Sequence, residues 1–115
     1  MDLNELKLRI KEITNLEKGW YDNLQGVKFK KNDIDFTFNI LKDVDFSNLY
    51  IYPFPDNEIT IEWDSGELTH VISLCFSSKS FIVIVRNKKK NIFSTEEPLS
   101  KEKISEYIKK DYRKI

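Results

Sequence analysis

Alanine is absent from this chain of 115 residues, and cysteine and histidine occur once each. A single thiol, Cys75, excludes a disulfide within the chain and leads us to expect a reducing compartment. The three glycines, Gly19, Gly26 and Gly66, stand far apart, which excludes a glycine-rich phosphate loop. Long apolar runs are missing as well. The longest, Phe81 to Val85, is five residues, whereas a membrane-spanning helix needs about 20. The first ten residues are charged and carry no apolar stretch of the kind found in a secretion signal. A cytoplasmic location is therefore expected. Net formal charge is zero, so the molecule as a whole has no general pull on nucleic acid or membrane.

Aromatic residues are plentiful: eight Phe, five Tyr and two Trp. They supply the apolar area for one core in a single domain spanning residues 1–115. Charge is polarised along the chain. Residues 1–85 hold 9 Lys/Arg against 14 Asp/Glu, and residues 86–115 hold 10 against 5. Lys, Ile and Asn together make 39 of the 115 residues. Their codons are AT-rich and those of alanine GC-rich, which points to an AT-rich bacterial or phage genome.

Periodicity divides the chain. Leu3, Leu6, Ile10, Ile13 and Leu16 recur at helical spacing and predict a helix over 2–17, with Asp2 as N-cap, Glu5 three residues on and Gly19 as the stop. Ile34, Phe38, Leu41 and Val44 predict a second helix over 32–44, capped by Asn32 and broadened by Phe36 and Ile40. From residue 48 the period becomes two. Strands are expected at 49–52, 58–63, 68–76 and 81–85, with a short edge strand at Ile92-Phe93. The second should alternate, with Ile59, Ile61 and Trp63 facing the helices and Glu58, Thr60 and Glu62 wet. Phe81 to Val85 is apolar on both faces, as a central strand would be. Ser100 predicts the N-cap of a final helix carrying Ile104, Tyr107, Ile108 and Tyr112 on its apolar side. The expected fold class is α+β: two N-terminal helices, an antiparallel meander of four to five strands and a C-terminal helix, with the helices on one sheet face.

Two aromatic-acidic segments stand out, Gly19-Trp20-Tyr21-Asp22 and the run from Tyr52 to Asp64. The pattern Gly19-Trp20, Asp22, then Pro53-x-Pro55 and Ile59-x-Ile61-Glu62-Trp63 resembles a widespread group of small uncharacterised bacterial proteins, many of them in mobile-element and defence contexts. The resemblance covers about residues 6–76 and departs at Asn57-Glu58, where a glycine-rich turn is more typical. It implies the same order of elements and no established activity. Trp20, Trp63, Tyr21 and Phe54 read as structural aromatic anchors that pin the helical half onto the sheet, against the alternative of an exposed binding patch.

Candidate chemistry is thin. Asp22, Glu58, Glu62 and Asp64 are the acids a divalent metal would use, yet Glu58 and Glu62 lie ~13 Å apart along one strand face. His70 reads as a core-edge histidine with one hydrogen bond rather than a general base, and Cys75 as a small buried hydrophobe. No cofactor is implied. A basic set, Lys88, Lys89, Lys90, Lys109, Lys110 and Arg113, is the candidate partner-binding surface. The leading expectation is a non-enzymatic protein-interaction domain of the inhibitor, antitoxin or immunity type, carried by a phage or mobile element. The alternatives are a nucleic-acid-binding module using the basic C-terminal third and, third, a metal-dependent nuclease.

Overall fold

The computed structural model describes residues 1–44 and 48–112. Helix α1 runs Leu3–Thr14. The Asp2 carboxylate accepts the Glu5 backbone N–H at 2.8 Å, the expected cap, and Leu6, Ile10 and Ile13 form the buried stripe. Leu3, expected on that stripe, is exposed. The helix stops three residues before the expected end, because Asn15 forms the C-cap well ahead of Gly19. Helix α2, Lys31–Leu41, begins at an extended Lys30 with no side-chain cap, so Asn32 lies inside the first turn instead of capping it. Its buried residues are Ile34, Thr37, Ile40 and Leu41. Thr37 tolerates full burial because its hydroxyl donates to the Asp33 carbonyl at 2.9 Å.

Five antiparallel strands follow in meander order: β1 (Tyr50–Phe54), β2 (Glu58–Ser65), β3 (Leu68–Cys75), β4 (Ser80–Asn87) and β5 (Lys90–Pro98). Helix α3 runs Lys101–Lys109, with the Ser100 hydroxyl accepting the Lys103 N–H at 3.3 Å. Runs of like elements rather than alternation make this the expected α+β fold. The inner face carries Ile59, Ile61, Ile72, Leu74, Phe81 and Val85, all with no measurable exposure, under the helices. Phe36 of α2 meets Phe76 edge-on just past β3, and the Tyr107 hydroxyl of α3 donates to Glu97 on β5.

Two strand expectations change. The centre of the sheet is β3, not the doubly apolar β4. The outward residues of β4, Ile82 and Ile84, are half-exposed. β5 is nine residues long where two were expected. Its polar stretch Ser94-Thr95-Glu96-Glu97 reads as a loop, but an edge strand with one half-buried face accepts polar residues.

The loop between α1 and α2 is built around one ring. The Trp20 indole N–H donates to the Val27 carbonyl at 2.7 Å, and the ring lies against Phe29. Gly26 sits at φ 105°, and a Cβ there would come within 2.8 Å of the indole nitrogen. Glycine is thus required at this position on both conformational and steric grounds.

Candidate interaction surface

The anchors split into two kinds. Trp63 is buried on the inner face and stacks on His70 with ring centroids 4.9 Å apart and planes 3° from parallel. His70 in turn packs against Tyr112, so this anchor ties β2 and β3 to the segment after α3. Trp20 is half-buried. Tyr21 and Phe54 are not buried anchors: they are 41% and 39% exposed. The Tyr21 ring meets Trp20 edge-on, and its backbone pairs with Gln25. Phe54 points away from the helices because strand alternation places it with Tyr50 and Tyr52.

Those three residues open a grid on the outer face of the sheet. Strand register sets Tyr50, Glu62, Val71, Ile84 and Ser94 in one row. Tyr52, Thr60, Ser73, Ile82 and Glu96 form the next. Phe54, Glu58, Cys75, Ser80 and Pro98 form the third. Among these only Thr60 is buried, which departs from the wet position expected of it. The Thr60 hydroxyl bonds Ser73 at 3.0 Å and Glu58 at 3.4 Å, so the polar middle of the face is internally satisfied. All other positions keep solvent contact. The Tyr50 and Tyr52 rings lie nearly parallel, 9° apart, with centroids 6.3 Å apart.

Cys75 belongs to this face as a half-exposed thiol, not a buried hydrophobe. It donates to the Glu58 carboxylate at 3.3 Å, and desolvation with the adjacent carboxylate pushes its pKa up to about 11. A thiol so held is protonated at neutral pH and a poor nucleophile. Of the acids singled out for metal binding, Glu58 and Glu62 are separated by Thr60 along β2, and Asp22 lies in the loop after α1. Among the described residues, no three His, Cys, Asp or Glu side chains gather as a metal site would require.

The basic set occupies one end of the sheet. Lys88 and Lys89 form the β4–β5 turn, closed by the Asn87–Lys90 pair. Lys109 and Lys110 line a groove of about 200 Å³ with Ser65, Leu68, His70 and Tyr112. A neighbouring groove of about 380 Å³ shares Ser65, Leu68 and Tyr112 and reaches Asn87, so turn and helix end face a common region. Lys110 is already engaged, its ammonium lying 4.7 Å from the centre of the Phe93 ring. Arg113 lies outside the described residues. His70 differs from expectation: it is buried at 5% exposure, and among the described residues neither ring nitrogen has a hydrogen-bond partner. Desolvation holds its pKa below the ordinary value, against the opposing pull of Asp64.

Sequence reasoning named the Glu58/Thr60/Glu62 face as a candidate functional surface but did not place Tyr50, Tyr52 and Phe54 on it. Its signal was present in Tyr50-x-Tyr52-x-Phe54 and in the second apolar side of β4. Comparison with protein-family models, curated proteins and solved structures finds no match. Among the described residues, no helix is long and apolar enough to cross a membrane.

Proposed function

We propose that this chain is a non-enzymatic protein-interaction domain, of the inhibitor, antitoxin or immunity type carried by phages and mobile elements. The observation that carries the reading is the outer sheet face. Tyr50, Tyr52 and Phe54 are 51%, 39% and 39% exposed along the β1 edge, and the half-exposed Val71, Ile82 and Ile84 lie across the polar β2 row of Glu58, Thr60 and Glu62. Exposed aromatic rings set beside polar groups are a common feature of partner sites. The protonated Cys75 thiol agrees with a binding role for the face. The test is capture of host proteins after crosslinking, by the wild type and by a Tyr50→Ser/Tyr52→Ser variant. A captured protein that the variant loses supports the reading. A captured protein that the variant keeps in full places the partner surface elsewhere and contradicts it.

A second reading has its own observation: the Lys88–Lys90 turn adjoins Asn87, whose groove shares Ser65, Leu68 and Tyr112 with the groove that Lys109 and Lys110 line. There the protein would hold nucleic acid through phosphate contacts. Log affinity would then fall with log salt at about −0.9 per phosphate neutralised on duplex DNA. Reversal of Lys88, Lys89 and Lys90 to Glu would flatten that slope while leaving the fold intact, since solvated turn residues usually change stability by within about 0.5 kcal/mol. Undetectable binding at low salt rejects this reading.

A further inference from the structure

Resting on the outer-face reading, we infer that the partner presents a basic, extended segment whose arginine or lysine side chains alternate along it, and that this segment lies across the face beside β1. Charge is the first argument. The outward positions of the five strands carry Glu58, Glu62, Asp64 and Glu96 against Arg86 alone, and Arg86 is tied to Asn91 at 3.1 Å. A face that is acidic on a protein of zero net charge selects a cationic partner by complementarity.

The second argument is the pairing of rings with carboxylates. Tyr50 stands directly opposite Glu62, and Phe54 directly opposite Glu58. Directly opposed residues in antiparallel strands have Cβ atoms about 5 Å apart. A cation resting on either ring therefore has a carboxylate within reach, which combines attraction to the π face with an ion pair. The rings of Tyr50, Tyr52 and Phe54 recur every second residue, roughly 7 Å along the strand, which is also the spacing of same-side residues in an extended chain, while the two ring–carboxylate pairs flank the Tyr52–Thr60 pair at roughly twice that spacing.

The third argument concerns how the segment lies. Strand addition at the β1 edge is blocked. Arg9 donates from Nε to the outward Ile51 carbonyl at 2.9 Å, and Pro53 has no N–H to offer. Side chains on the face, not the backbone edge, must then make the contacts. The face measures roughly 19 by 25 Å, about 500 Å². This is below the ~800 Å² per partner of a standard interface, so exchange should be fast and salt-sensitive.

The probe is a fluorescent peptide alternating Arg and Thr, titrated with the full chain and followed by anisotropy, with a Glu–Thr peptide as control. The expected result is saturable binding of the Arg–Thr peptide only, weakened by added salt. Glu58→Gln/Glu62→Gln and Tyr50→Leu/Tyr52→Leu should each lower affinity about tenfold, while the Lys88, Lys89 and Lys90 reversal to Glu does not lower it. Melting curves matching the wild type establish that the variants fold. Absence of saturable binding, or binding unchanged in both face variants, overturns the inference. If the peptide fails yet the crosslinked host partner is still lost from Tyr50→Ser/Tyr52→Ser, only the partner's basic character is wrong. If that partner is kept, the outer-face reading itself has failed.

Discussion

The two faces of this sheet are made by the same five strands, yet only one is a core. On β4 the inward Phe81, Val83 and Val85 are buried, while the outward Ile82 and Ile84 are as apolar and remain half-exposed. Hydrophobicity of a side chain therefore does not decide which face is covered. The position of the helices does: α1, α2 and α3 all serve the inner layer. Apolar residues on the other face contribute little to folding and are free to serve contact with another molecule.

Trp63→Ala should give the largest difference between the faces. Removing this buried ring leaves a cavity beside His70 and should cost ~3–5 kcal/mol, a large share of a small domain's stability. Tyr52→Ala, one strand away on the outer face, should cost less than about 1 kcal/mol. Chemical denaturation of both variants checks the pair. Equal losses would mean that the outer face is part of the folding core.

A smaller effect sharpens the inner face. His70 is buried, its nitrogens have no hydrogen-bond partner among the described residues, and its pKa is lowered by desolvation. In the unfolded chain it titrates near 6.5. The folded state binds that proton less readily, so the stability contributed by the neutral ring is complete above about pH 6.5 and falls as pH drops below it through the folded pKa. Denaturation midpoints should thus fall between pH 7 and pH 5.5. His70→Phe should flatten that dependence, because an apolar ring has no proton to bind. A slope unchanged in His70→Phe would assign it to other groups.

Lys88→Gly gives the smallest effect. Lys88 sits at φ 59° in the β4–β5 turn, a left-handed conformation disfavoured for a side chain with Cβ. Glycine relieves that strain but leaves the unfolded chain more flexible, so the net gain should be about 0.5 kcal/mol. A thermal melt below that of the wild type would contradict this account of the turn.

Much of the fold is legible in the residues. The shift from helical to alternating periodicity at residue 48, and the caps Asp2 and Ser100, mark the order of elements. Boundaries are less legible where competing signals lie close together. Gly19 reads as a helix stop, but Asn15 ends α1 first. Lys30 starts α2 without any side-chain cap for the sequence to advertise. The length of β5 is hidden because its partner strand supplies the apolar side that its own polar residues lack. Exposure of aromatic residues is the least legible. Trp63 and Phe54 belong to the same aromatic-acidic segment, and one is core while the other faces water. The distinction depends on strand parity and on which face the helices cover, and no single residue records the second.

Hydroxyl-radical footprinting of the full chain, alone and saturated with the alternating Arg–Thr peptide, tests the central claim that the outer face is the binding face. The account predicts that Tyr50, Tyr52 and Phe54 lose reactivity in the complex while the half-buried Phe93, near the basic end, does not change. Protection of Phe93 with the β1 rings left fully reactive would contradict it.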